Sequence, residues 1–168
     1  MTRVALVALG IFVICTGQMA QGEDASVGSL KISAPWVRAT PSGASVGGGY
    51  MSITNTGTTS DRLAGGSSDL SARFEIHTMS MDNGVMKMRP VASGVEIKPG
   101  QTVQFNPGGY HVMFVGLKKP FEQGHQVSAL LQFEKAGKVV VNFTVESIGA
   151  HSSGHSEMPG GGQMQHGH

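Results

Sequence analysis

Cysteine is nearly absent from this chain: Cys15 is the sole thiol among 168 residues. It closes an apolar run, Val4 to Cys15, that follows Arg3 and precedes the small residues Ala20-Gln21-Gly22. That is the pattern of a cleaved export signal, so residues 1–22 read as a signal peptide. The apolar run is too short to span a bilayer, which takes about 20 residues. Ile14 occupies the place before Cys15 where a lipoprotein signal would carry a small residue, which argues against a lipid anchor. If Cys15 leaves with the signal, the exported chain has no disulfide and no thiolate. A blue-copper electron-transfer centre, which needs a cysteine sulfur, is then excluded. A structural zinc site is disfavoured too, because methionine is not among zinc's usual ligands.

Net charge is also lacking. Twelve Lys and Arg against eleven Asp and Glu give +1, and Arg3 would depart with the signal. No basic patch marks a nucleic-acid surface. No window of ten or more residues keeps a helical period. The glycine-rich run Gly43 to Gly49 is not followed by Gly-Lys-Ser/Thr, so it reads as a turn or bulge and not as a phosphate loop. No constellation of acid, base and nucleophile stands out, and no enzyme is expected.

What remains is a series of short alternating segments between Gly/Pro turns. Ser29 to Ser33 and Trp36 to Arg38 flank Pro35; Gly49 to Asn55, Asp61 to Ala64, Phe74 to Met81, Val85 to Arg89, Val95 to Ile97, Thr102 to Phe105, Tyr110 to Val115, Gln126 to Phe133 and Val139 to Val145 follow. Turns are expected at Gly65-Gly66 and Lys98-Pro99-Gly100. Short strands at this spacing predict one all-β domain, an antiparallel sandwich or barrel, over residues 23–146.

Within it, Phe74 to Val115 concentrates imidazoles and thioethers. His77, ten residues, Met88, twenty-two residues, then His111-x-Met113 is the spaced core of the pattern. Asn83-Gly84 between two alternating runs is a strong hairpin signal, because both residues tolerate positive φ. A two-residue loop sets Met81 opposite Met86, Met79 opposite Met88 and His77 opposite Pro90. All five His and Met side chains then share one face. A slip of one residue would separate His77 from Met88.

Methionine is commonly core filler, and a buried histidine is commonly just hydrogen-bonded. Here, however, Ile76 and Phe74 hold the opposite face, and filler does not account for two histidines on the methionine side. Two neutral nitrogens and two soft sulfurs suit a soft monovalent ion such as Cu(I).

After Glu146 the composition changes. Residues 147–168 end in HSSGHSEMPGGGQMQHGH, with His151, His155, Met158, Met164, His166 and His168 among Gly and Ser. Such a segment cannot bury enough apolar surface to offset its ordering entropy, so a disordered tail is expected. Its histidines suit Cu(II) and its methionines Cu(I).

The pattern His77-x10-Met88-x22-His111-x-Met113, with GVMKMRPV and PGGYHVMFVGLKKP around it, resembles the PCuAC-type periplasmic copper chaperones from about Ala34 to Val145. The resemblance implies a cupredoxin-like Greek-key β-sandwich, a Cu(I) site carried over to His77, Met88, His111 and Met113, and a His/Met-rich extension binding Cu(II). It further implies a periplasmic protein without a stable membrane anchor, which delivers copper to a cytochrome c oxidase subunit or another copper chaperone. One local departure is Thr78 between His77 and Met79, which makes Met79 a possible alternate ligand. The competing expectation is a metal-independent extracellular β-sandwich interaction module, since fold alone does not decide function.

Overall fold

The computed structural model describes residues 23–153. Residues 1–22, on which the expected signal peptide falls, and residues 154–168 lie outside the described residues. Eleven strands run in chain order: β1 (Ala25–Val27), β2 (Leu30–Arg38), β3 (Val46–Asn55), β4 (Asp61–Ser67), β5 (Ser71–Asp82), β6 (Val85–Pro90), β7 (Val95–Ile97), β8 (Thr102–Phe105), β9 (Tyr110–Leu117), β10 (Gln126–Phe133) and β11 (Lys138–Glu146). There is no helix among the described residues.

The strands hydrogen-bond in the order β6-β5-β9-β8-β3-β2-β11-β10-β4-β7, with β1 on β2 and a further β9–β3 pairing. Most pairs are antiparallel; β11–β2 and β8–β9 are parallel. Sequence neighbours β3 and β4 are far apart in this order, and β7 and β8 pair with β4 and β3 respectively. These crossovers fold the sheet into a Greek-key, cupredoxin-like sandwich. The Lys98-Pro99-Gly100 turn, with Gly100 at φ 72°, carries the chain from one layer to the other and closes no hairpin.

The core forms where the inward faces meet. Phe114 of β9 is fully buried, with ring centroids 5.4 Å from Phe74 and Phe121 and 5.9 Å from Phe143 of β11. Edge-to-face packing of this kind contributes beyond burial alone. Met51, 2% exposed, is the filler methionine that a core would use.

Three expectations need correction. The two pieces around Pro35 are one strand, β2, whose register shifts between Ser33 and Trp36, with Ala34 at φ 49°. The run Gly47 to Gly49 is strand and not turn, pairing with Phe114 to Val112 of β9. A Cβ on Gly47 would lie 2.7 Å from the Phe121 ring, and one on Gly49 2.8 Å from Val112, so glycine serves close approach here. Gly65-Gly66 likewise lies inside β4, where a Cβ on Gly66 would meet the Leu130 carbonyl at 2.7 Å.

Candidate metal centre

Asn83 and Gly84 both take positive φ, 51° and 79°, as a type I′ turn requires. That turn sets the β5–β6 register: Met81 faces Met86, Met79 faces Met88, and His77 faces Pro90. On its other side β5 pairs with β9, and there His77 faces His111 while Glu75 faces Met113. Directly paired residues of an antiparallel ladder point to one side. The outer face of β6, β5 and β9 is therefore a ladder of rungs: Met81/Met86, Met79/Met88, His77/His111, then Glu75/Met113. Successive rungs are roughly 7 Å apart.

The centre of the ladder is the imidazole pair. The two rings lie 5.9 Å apart between centroids, inclined by 48°. His111 is 5% exposed, and its Nδ1 lies 3.0 Å from the Gly109 carbonyl. A carbonyl only accepts, so Nδ1 carries the proton and Nε2 keeps a lone pair. His77 Nε2 lies 2.9 Å from Glu75 Oε2, and Arg73 Nε donates to Glu75 Oε1 at 2.9 Å. The hydrogen bonds from His77 and then Arg73 hold the Glu75 carboxyl below its ordinary range, so Glu75 accepts from Nε2, and in the neutral ring His77 Nδ1 keeps the lone pair.

Those two bare nitrogens, His77 Nδ1 and His111 Nε2, are both buried and without a hydrogen-bond partner among the described residues. Leaving such a group unmatched costs about 1–3 kcal/mol. Burial is the main cause that depresses the His111 pKa, with the neighbouring His77 acting in the same direction against the Gly109 hydrogen bond. Both rings thus present a lone pair while their other nitrogen is fixed by a carboxylate or a carbonyl. This is how ligating histidines are oriented.

The thioethers surround that pair unevenly. Met79 and Met113 are half-buried; Met88 is 50% exposed on β6, all six residues of which are exposed. Met79 is the nearest thioether to His77 in register, one rung away on the same strand. Met88 is one rung and one strand away. Met113 is flanked by Glu75 and Gly48. No group of three His, Cys, Asp or Glu converges among the described residues. The sulfur atoms on the same outer face are the thioethers of Met79, Met88 and Met113, which are soft, neutral donors.

Of the candidate tail ligands, only His151 is described, and it is exposed; His155, Met158, Met164, His166 and His168 lie outside the described residues. Ala150 just before it is anchored: its carbonyl accepts from Arg38 Nε at 2.8 Å, and it packs with Trp36 and Tyr50. Tyr50 shares the outer face with Gly48 and Met113, so Ala150 packs on the side of the sheet that carries the ladder.

Glu75 was not foreseen as part of the site. Its signal was available, since Glu75-x-His77 at a two-residue interval puts carboxylate and imidazole on one face of a strand.

The family described as "Putative lipoprotein LpqE-like" matches residues 30–145. "Putative lipoprotein Lxx21020" of Leifsonia xyli subsp. xyli is 31% identical over 134 residues, covering 79% of this chain and 80% of that protein. Among solved structures, the copper-bound PCuAC domain from PmoF2 is 30% identical with a TM-score of 0.64, covering 74% of this chain and 98% of that one. The apo PmoF2 PCuAC domain is 28% identical with a TM-score of 0.65, covering 78% and 100% respectively. The chain belongs to the LpqE-like family, and its domain is of the PCuAC type.

Proposed function

We propose that this protein is an exported copper chaperone that binds Cu(I) through His77, His111, Met88 and Met113, with Met79 able to replace a thioether. The reading rests chiefly on the two buried, unpartnered imidazole nitrogens, carried by rings 5.9 Å apart on a face that also bears methionines. The similarity to a copper-bound PCuAC domain supports it. All four ligands are neutral, so the bound ion's charge is uncompensated and Cu(I) passes readily to a recipient with thiolates. Cytochrome c oxidase during its assembly, or another copper chaperone, is such a recipient. Nothing is turned over; the function is transfer.

The test is anaerobic Cu(I) titration with X-ray absorption on the wild type and on Met88→Ala/Met113→Ala. The wild type should show mixed nitrogen and sulfur scattering, and the variant should lose most of the sulfur. Sulfur scattering that persists unchanged would mean other thioethers bind. Affinity unaltered by His77→Ala and Met113→Ala would instead favour the metal-free interaction module.

Residues 23–146 then form the chaperone domain and residues 147–168 a tail that gathers Cu(II) in the periplasm. With Ala150 held on the ladder side of the sheet, a tethered second binder raises the local concentration of copper at the core site. Loading rate and stoichiometry unchanged by deleting residues 151–168 would refute this. The lipoprotein names of the family and of its relative favour a second reading of the N-terminus, cleavage just before a lipid-bearing Cys15 in place of cleavage near Gly22. The mass of the mature N-terminal peptide separates the two.

A further inference from the structure

Two methionines on the ladder have no part in the site just described. Met81 and Met86 face each other one rung beyond Met79/Met88, and they are 65% and 47% exposed. Neither is filler: β6 is the last strand of the sheet and buries none of its residues. Nor do they hold the hairpin together. The type I′ turn sets the register, and on the opposite face Asp82 Oδ2 accepts from Lys87 Nζ at 2.8 Å and Arg89 Nη2 at 3.0 Å. Exposed apolar side chains that take no part in the core, clustered beside a candidate binding site, call for a role of their own.

We infer that Met81 and Met86 form an outer thioether site for a soft monovalent cation, through which the ion reaches and leaves the inner histidine site. The inference rests on the copper reading above. Facing residues on paired strands have Cβ atoms about 5 Å apart, so two flexible methionine side chains can close their sulfurs on one ion. Thioethers are soft and neutral, which favours Cu(I) or Ag(I) over hard or divalent cations. Two sulfurs in contact with water bind more weakly than two imidazoles with two sulfurs, so the ladder carries a gradient of affinity toward His77/His111.

Each step is a ligand exchange. Met79 and Met88 sulfurs form bonds to the ion as those from Met81 and Met86 break; no electron and no proton moves. Met79/Met88 is the shared middle rung.

The test uses the full chain with 13C-methyl methionine, titrated anaerobically with Cu(I) and followed by NMR, with Met→Leu variants for assignment. Methyl groups of the inner thioethers should shift with the first equivalent, and those of Met81 and Met86 should shift together with a later one. In Met81→Leu/Met86→Leu, withdrawal of Cu(I) by a thiol chelator should slow about tenfold, while inner affinity stays within about twofold. Leucine keeps the apolar surface, so a patch used only for hydrophobic docking would survive this change and a sulfur ligand would not. Silent Met81 and Met86 methyls alongside a normal inner response, or wild-type withdrawal in the leucine variant, would overturn the inference and leave the chaperone reading standing. No response from any methionine would overturn both.

Discussion

His111 and Met88, which the proposed function gives to the same ion, sit in opposite surroundings. His111 is on β9, hydrogen-bonded between β5 and β3, with its ring buried and one nitrogen tied to the backbone. Met88 is on β6, paired on one side only and half in solvent. One half of the centre is built before any metal arrives; the other can yield. A centre made only of the first kind would hold copper and not release it, and one made only of the second would not select it. The division matches a protein whose task is to pass an ion on.

That contrast can be broken by mutation. His111→Ala removes the preformed half and should lower Cu(I) affinity by more than about a hundredfold, beyond the range seen for residues that merely orient ligands. Competition with a chromophoric Cu(I) chelator reads this out. Glu75→Gln keeps the shape but removes the charge that fixes His77, and should cost about 10–100-fold. Met88→Leu should cost about tenfold or less, because Met79 faces it and shares its rung. The Met79→Leu/Met88→Leu double variant should lose more than the sum of its parts. A Met88→Leu penalty equal to that of His111→Ala would erase the distinction between the two halves.

The smallest effect is on the metal-free protein. The folded state holds the His111 pKa below its ordinary 6.5, so the unfolded chain takes up the proton first on acidification. The stability tied to neutral His111 is complete above pH 6.5 and declines from there down toward the lowered value. Urea unfolding between pH 7.5 and pH 5 should show this slope, and His111→Gln should flatten it.

The hairpin was legible in the sequence because its register is local. Asn83-Gly84 admits one tight turn, and strict alternation from His77 to Met88 then assigns every side chain to a face. Pairing His77 with His111 is of another kind: it joins strands 34 positions apart in the chain, and the register is set by Phe74 and Phe114 packing on the far side. Alternation placed each histidine on its strand's outer face but not opposite its partner. The glycines at 47–49 and 65–66 were misread because composition records flexibility, whereas their use is absence of bulk. Glu75 was overlooked because attention to metal donors passed over the group that aims one.

Pro90 ends β6 at the rung where the imidazoles begin, and it brings no N–H to the sheet's free margin. Beside it, Lys87 and Arg89 put cations on the same strand, a combination that discourages another chain from zipping onto an unpaired edge. Strand-by-strand self-association along this exposed, sulfur-bearing edge is thereby checked just short of the histidines.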